Sequence, residues 1–298
     1  MWSHVFGVGI PVGLFVEFFI FGPQVDVFQS LTFGIVLLLA YVLALGETYR
    51  LYKIKRLEAA SYSIIAGSIL SFFAYWISSL VLSTFSDMST WFDSSNTFSV
   101  FTIAFSSVII HGVLLQSIPA ITMLILNRQD FYSSTDALAM GSIANASAYL
   151  LQAFFYFPKL ATLSWTSSFN FFITVAAKLV VEMILQMCLG SLTAYRMHMI
   201  SEENDEDDAN IFHATLPAAV VASSFGILSG FFETYLPLGD QPTSEVFLAV
   251  CSLTAYILIA LRMRKYQTAF DSHDKEKNVP VVEVQNRMRA AKSAPKKS

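Results

Sequence analysis

The chain is predicted to be an all-α, polytopic membrane helix bundle of about eight transmembrane helices with its N and C termini in the cytosol. Three observations carry that prediction. Apolar stretches of about twenty residues recur from Trp2 to Met263, charge is scarce inside them, and basic residues collect in alternate joints. Of 298 residues, 55% are apolar, 14% aromatic and 13% charged. A soluble domain carries about 25% charged residues, so most side chains here must face lipid or one another. The formal net charge is -4, and the charged residues cluster in the joints and the C-terminal tail, a pattern that suggests no nucleic-acid surface and leaves the lipid bilayer as the expected partner.

A hydrocarbon core about 30 Å thick takes about 20 helical residues to cross. Segments 2–22, 28–49, 61–84, 98–127, 136–157, 168–194, 211–237 and 244–263 meet that length. Their continuous Leu, Ile, Val and Phe runs lack the alternation of barrel strands, and helices satisfy every backbone amide internally. The first segment has no basic region ahead of it and runs into Phe21-Gly22-Pro23-Gln24 rather than a small-residue cleavage site, so it is expected to stay as an anchor. Arg50, Lys53, Lys55 and Arg56 follow the second segment, Arg128 the fourth, Arg196 the sixth, and Arg262, Arg264 and Lys265 the eighth; the opposite joints hold Lys159 alone. The positive-inside rule then puts both termini in the cytosol. Residues 1–263 form the expected bundle and 264–298 a basic cytosolic tail without apolar periodicity, expected to be disordered.

Several local features have plain readings. Trp2, Trp91 and Trp165 fall where indoles sit at headgroup level or fill gaps between helices. Cys188 and Cys251 lie inside apolar segments and read as core residues. Asn145-Ala-Ser147 matches a glycosylation sequon but lies within the fifth segment. The acidic run 201–208 reads as a solvated cytosolic loop or as a site for a basic protein partner, and lacks the glycine and alternate carboxylates of a calcium loop. Pro295-Lys296-Lys297-Ser298 is one place off a dilysine retrieval signal, which leaves plasma membrane and endomembrane equally open.

An ionised side chain at mid-bilayer costs from about 2.5 kcal/mol upward, so Glu17, His111, Lys178, Glu182 and Glu233 are the residues to weigh. Lys178 and Glu182 stand four apart in the sixth segment and share a helix face, where they can neutralise each other. Two readings are open. The pair is an internal bridge fixing helix rotation, or it belongs to a polar waist that passes ions, protons or lipid headgroups. Gln116, Asn145, Ser142, Gln152, Asn170, Thr174 and Gln186 lie on the same segments, four to six. His111, among apolar neighbours, reads as a neutral packing residue ahead of a proton relay. In the seventh segment Ala218, Ala222, Gly226 and Gly230 form a small-residue stripe for close helix packing, within the chain or with a protein partner. Pro11, Pro119 and Pro217 remove intrahelical donors.

Catalytic constellations are missing: no His-Glu-x-x-His, no histidine boxes, no aspartate-rich motif, and Gly226-Ile-Leu-Ser229-Gly230 has one residue too many for a nucleophile elbow. Glu47 with Arg50 and His111 or His213 is the remaining acid-base or metal candidate. The expectation is therefore a protein that is not an enzyme, with no cofactor and no metal.

Leu115-Gln116-Ser117-Ile118-Pro119-Ala120, a polar joint, and the small-polar stretch Gly141-Ser142-Ile143-Ala144-Asn145-Ala146-Ser147 resemble the Glu-x-x-Pro-Gln helix and following Ser-rich helix of XK-related lipid scramblases. Gln116 stands where the family has an acid and Ala120 where it has glutamine. The resemblance covers about a quarter of the chain and implies headgroups moving along a polar groove near segments four to six. A channel, transporter or scramblase-like translocator is expected; the alternative is a non-conducting subunit, trafficking factor or receptor acting through its cytosolic loops and tail.

Overall fold

A computed structural model describes residues 27–52, 57–88, 96–127, 134–161, 168–203, 211–235 and 241–277, all of them helical. Helix α1 is Val27–Tyr52 and α2 is Leu57–Met88. Helix α3 runs through Asn96–Ser106, a π-helical stretch Ser107–Leu114, and Leu115–Asn127. Helix α4 is Ser134–Ala161. Helix α5 joins Ser168–Ala176, a π turn Ala177–Val181, and Glu182–Glu203. Helices α6 and α7 are Ile211–Tyr235 and Gln241–Lys277.

Six of these helices are long and apolar enough to cross a membrane: Leu31–Tyr52, Glu58–Val81, Val100–Leu126, Phe169–His198, Ile211–Phe232 and Val246–Lys265. The protein is accordingly a helical, multi-pass membrane protein. Two of the eight expected crossings do not reach that count. Segment 2–22 lies outside the described residues, and segment 136–157 forms α4 but is not among the six apolar helices. The reason is its position. Every residue from Asp136 to Ala148 is buried, because α1, α2, α3 and α5 all pack around α4. A helix walled in by other helices meets no acyl chains and needs no apolar surface.

The outer helices follow the opposite rule. On α1, Phe33, Leu37, Ala40, Tyr41, Ala44 and Thr48 are buried at three- and four-residue spacing, while Leu39, Val42 and Leu43 are exposed. Phe72, Phe73 and Trp76 on α2 and Val250, Leu258 and Leu261 on α7 are exposed as well. Such a belt would be a liability in water; in a bilayer it is the lipid-facing surface.

Close crossings at α4 depend on glycine. A Cβ on Gly190 of α5 would sit 2.2 Å from the Gly141 carbonyl oxygen, and one on Gly141 would sit 2.5 Å from the Gly190 carbonyl oxygen. On the α2 side, a Cβ at Gly67 would meet the Ala144 carbonyl oxygen at 2.3 Å. The stripe on α6 finds its partners within the chain: Ala218 and Ala222 pack with Leu185 and Leu189, while Gly226 lies against Ser107 and Gly230 against Ile103.

Helix α7 continues to Lys277, past residue 264 where the tail was expected to begin. Residues 264–277 contain neither Pro nor Gly, and Asp271 precedes Lys275 by four, the favourable order for helical charge pairs. The rest of the tail and the acidic residues 204–208 lie outside the described residues.

Gly190→Ala is expected to lower stability by about 1–3 kcal/mol, because its new methyl group meets backbone that cannot move aside alone. Gly46→Ala, whose Cβ has nothing within 4 Å, should be neutral or slightly stabilising. Thermal unfolding of the two variants in detergent, followed by loss of the monodisperse size-exclusion peak, measures the contrast.

Candidate functional site

Helix α4 reaches each of its four main neighbours through a polar contact. Thr48 donates to the Ala44 carbonyl at 2.9 Å, so its partner Ser142, at 2.8 Å, supplies the proton between the two hydroxyls. Tyr41 and Ser147 bond at 2.8 Å, giving α1 a second tie to α4. From α2, Ser71 donates to the Ala148 carbonyl at 2.9 Å. Tyr149 donates to the Glu182 carboxylate of α5.

Between these contacts lies a cluster of three amides from three helices. Gln116 of α3 is 0% exposed, Asn145 of α4 is 1% and Gln186 of α5 is 9%. Gln116 Nε2 donates to Gln186 Oε1 at 2.8 Å, and Asn145 Nδ2 donates to the Gln186 backbone carbonyl at 2.7 Å. The same Asn145 nitrogen lies 3.2 Å from both Gln116 Oε1 and Gln186 Oε1. Gln116 Nε2 also lies 3.4 Å from the His111 carbonyl in the π stretch. An amide carries donor and acceptor together, so three amides can saturate one another where charged groups would require counterions. Cluster members do not titrate. Opened, they would offer neutral donors and acceptors to a passing ion or headgroup; closed, they bind three helices together.

Lys178 sits in the π turn of α5, 8% exposed, with Nζ 3.2 Å from Ser229 Oγ of α6. Glu182 faces α4 and accepts from Tyr149. Each of the two side chains thus also makes a contact with a neighbouring helix, Lys178 with α6 and Glu182 with α4. Glu47 and Arg50 of α1 form an ion pair. Arg50 Nε donates to Glu47 Oε2 at 2.6 Å, and Tyr256 donates to the same carboxylate, which ties α1 to α7. Glu47 is thereby held by a guanidinium and a phenol; His111 and His213 are both exposed on other helices.

The other expected site residues divide. Gln116 and Asn145 are brought together as described. His111 is exposed rather than buried, on the α3 face beside Gly226. Glu17 lies outside the described residues, and Glu233 belongs to α6 with a side chain outside them. Thr122 and Thr174 have buried hydroxyls with no hydrogen-bond partner among the described residues. Sequence reasoning did not single out Ser229, Tyr149 or Tyr256 as partners. Chain separations of 51, 33 and 209 residues hide them, and a tyrosine in an apolar helix looks like packing.

Searches of protein-family models, curated proteins and solved structures find no match to this chain.

Interhelical hydrogen bonds inside membranes average about 0.6 kcal/mol and reach about 1.7. Asn145→Ala and Gln186→Leu should each destabilise the bundle. The double variant is expected to be less destabilised than the sum by about 0.5–1.5 kcal/mol, since each loss already frees the other partner. Reversible unfolding in mixed micelles of the two singles and the double gives that coupling; strict additivity would mean that the amides do not act together.

Proposed function

We propose that this multi-pass membrane protein is a non-enzymatic translocator of the channel, transporter or lipid-scramblase class, with its polar route closed in this conformation. One observation carries the reading. Gln116, Asn145, Gln186, Lys178 and Glu182 gather across α3, α4 and α5, and both α3 and α5 carry π-helical turns in the same stretches. Polar and ionisable groups inside a membrane mark pathways more often than they mark stable cores. Widened turns also recur at functional sites, since they leave backbone groups able to exchange partners. The stretches that resemble XK-related scramblases supply Gln116 and Asn145, and the reading extends that resemblance to headgroup movement along this seam. Counting segment 2–22 and α4 as crossings gives eight, with both termini cytosolic.

A second reading is a non-conducting membrane subunit or receptor that binds protein partners through its cytosolic acidic run 201–208. It is favoured by the mutual satisfaction of the three amides, which stabilises a closed bundle without any traffic through it.

Purified chain in liposomes separates the two. On the first reading, wild type passes an ion-sensitive dye signal or exchanges headgroup-labelled lipid between leaflets, and Lys178→Met changes the rate at least tenfold while retaining a native size-exclusion profile. Absence of both fluxes from well-folded wild type would favour the second. For topology, cysteines introduced as Lys55→Cys and Ser272→Cys in a Cys188→Ser/Cys251→Ser background should react with an impermeant maleimide only after cells are permeabilised.

A further inference from the structure

The C-terminal part of α5, the N-terminal turns of α6 and the middle of α7 border an open cleft of about 420 Å³, lined by Leu192 and Arg196 of α5, Pro217 of α6, and Leu258, Ile259 and Arg262 of α7 among others. A second cleft of about 350 Å³ shares Leu258 and Arg262 with it and adds Leu261 and Lys265. Either volume lies within the range of about 300–1,000 Å³ typical of small-molecule sites. Along two helices the chemistry repeats in the same order. Leu192 is followed one turn later by Arg196, and Leu258 one turn later by Arg262. Apolar wall thus gives way to cationic rim on both sides of the opening. Among the described residues no acid lines either cleft, and Leu258 and Leu261 are exposed at their edge, toward surrounding lipid.

We propose that this cleft is a binding site for an anionic phospholipid, its phosphate held by Arg196 and Arg262 with Lys265 beside it and an acyl chain lying along Leu192, Leu258 and Ile259. Charge complementarity selects the occupant. Three cations beside an apolar groove suit a headgroup with net negative charge, whereas a zwitterionic choline lipid would bring its own cation to the rim. The long stems of Arg and Lys reach from the apolar zone to headgroup level, which is where they are cheapest to place. The site lies apart from the amide cluster and depends only on the chain being in a bilayer, so it stands whichever functional reading holds.

Native mass spectrometry of the full chain, released from micelles containing either phosphatidylglycerol or phosphatidylcholine, tests the site. Wild type is expected to retain phosphatidylglycerol in preference to phosphatidylcholine. Each of Arg196→Gln and Arg262→Gln should weaken retention about fivefold. Arg264→Gln, which removes a charge from the same helix but lines neither cleft, should leave retention within twofold. Leu258→Trp keeps every charge and fills the groove, and should also lose the lipid. Equal retention of the two lipids, or losses as large for Arg264→Gln as for Arg262→Gln, would overturn the proposal. So would retention that emerges only after the acids of 202–208 are neutralised, since the chain's own acidic run would then be the occupant.

Discussion

Satisfaction of polar groups in a medium without water is the constraint on which the rest of this bundle depends. Helix α4 carries Ser142, Asn145, Ser147 and Tyr149 within two turns, and none of these could face acyl chains without losing its hydrogen bonds. Surrounding α4 on all sides solves the problem. Each polar side chain then meets a counterpart on α1, α3 or α5, and Ser71 of α2 meets an α4 carbonyl. Lipid contact falls to the outer helices, whose exposed Leu, Val and Phe side chains need no partner.

Close packing makes those hydrogen bonds reachable. Gly141 and Gly190 let the α4 and α5 backbones touch, which places Asn145 within 2.7 Å of the Gln186 carbonyl. Gly67 does the same for α2, where Ser71, one turn on, reaches Ala148. Small residues and polar residues are therefore parts of one device. Glycine sets the approach, and the amide or hydroxyl next to it holds the register.

Two regions with different chemistry emerge. At the centre, the amides of Gln116, Asn145 and Gln186 hold one another across three helices. At the C-terminal part of α5, the N-terminal turns of α6 and the middle of α7, arginines border open apolar clefts. The second is accessible from the bilayer as it stands, because its walls are already exposed.

Hydropathy alone pointed to a helical membrane protein, and it located the apolar spans of α1, α2, α3, α5, α6 and α7 to within about five residues, because burial in lipid acts on each helix separately and leaves its record in local composition; the extensions of α5 to Glu203 and of α7 to Lys277 lie beyond those spans. The small-residue stripe of α6 was legible for the same reason, and Gln116 and Asn145 could be marked as costly from their surroundings in the chain. Which groups meet was decided only in three dimensions. Lys178 meets Ser229 of α6 and Glu182 meets Tyr149 of α4, His111 lies at the surface beside Gly226, and α4 is a central helix. Helix rotation and neighbour choice depend on contacts between residues tens to hundreds of positions apart, and no local pattern in a single chain encodes that pairing.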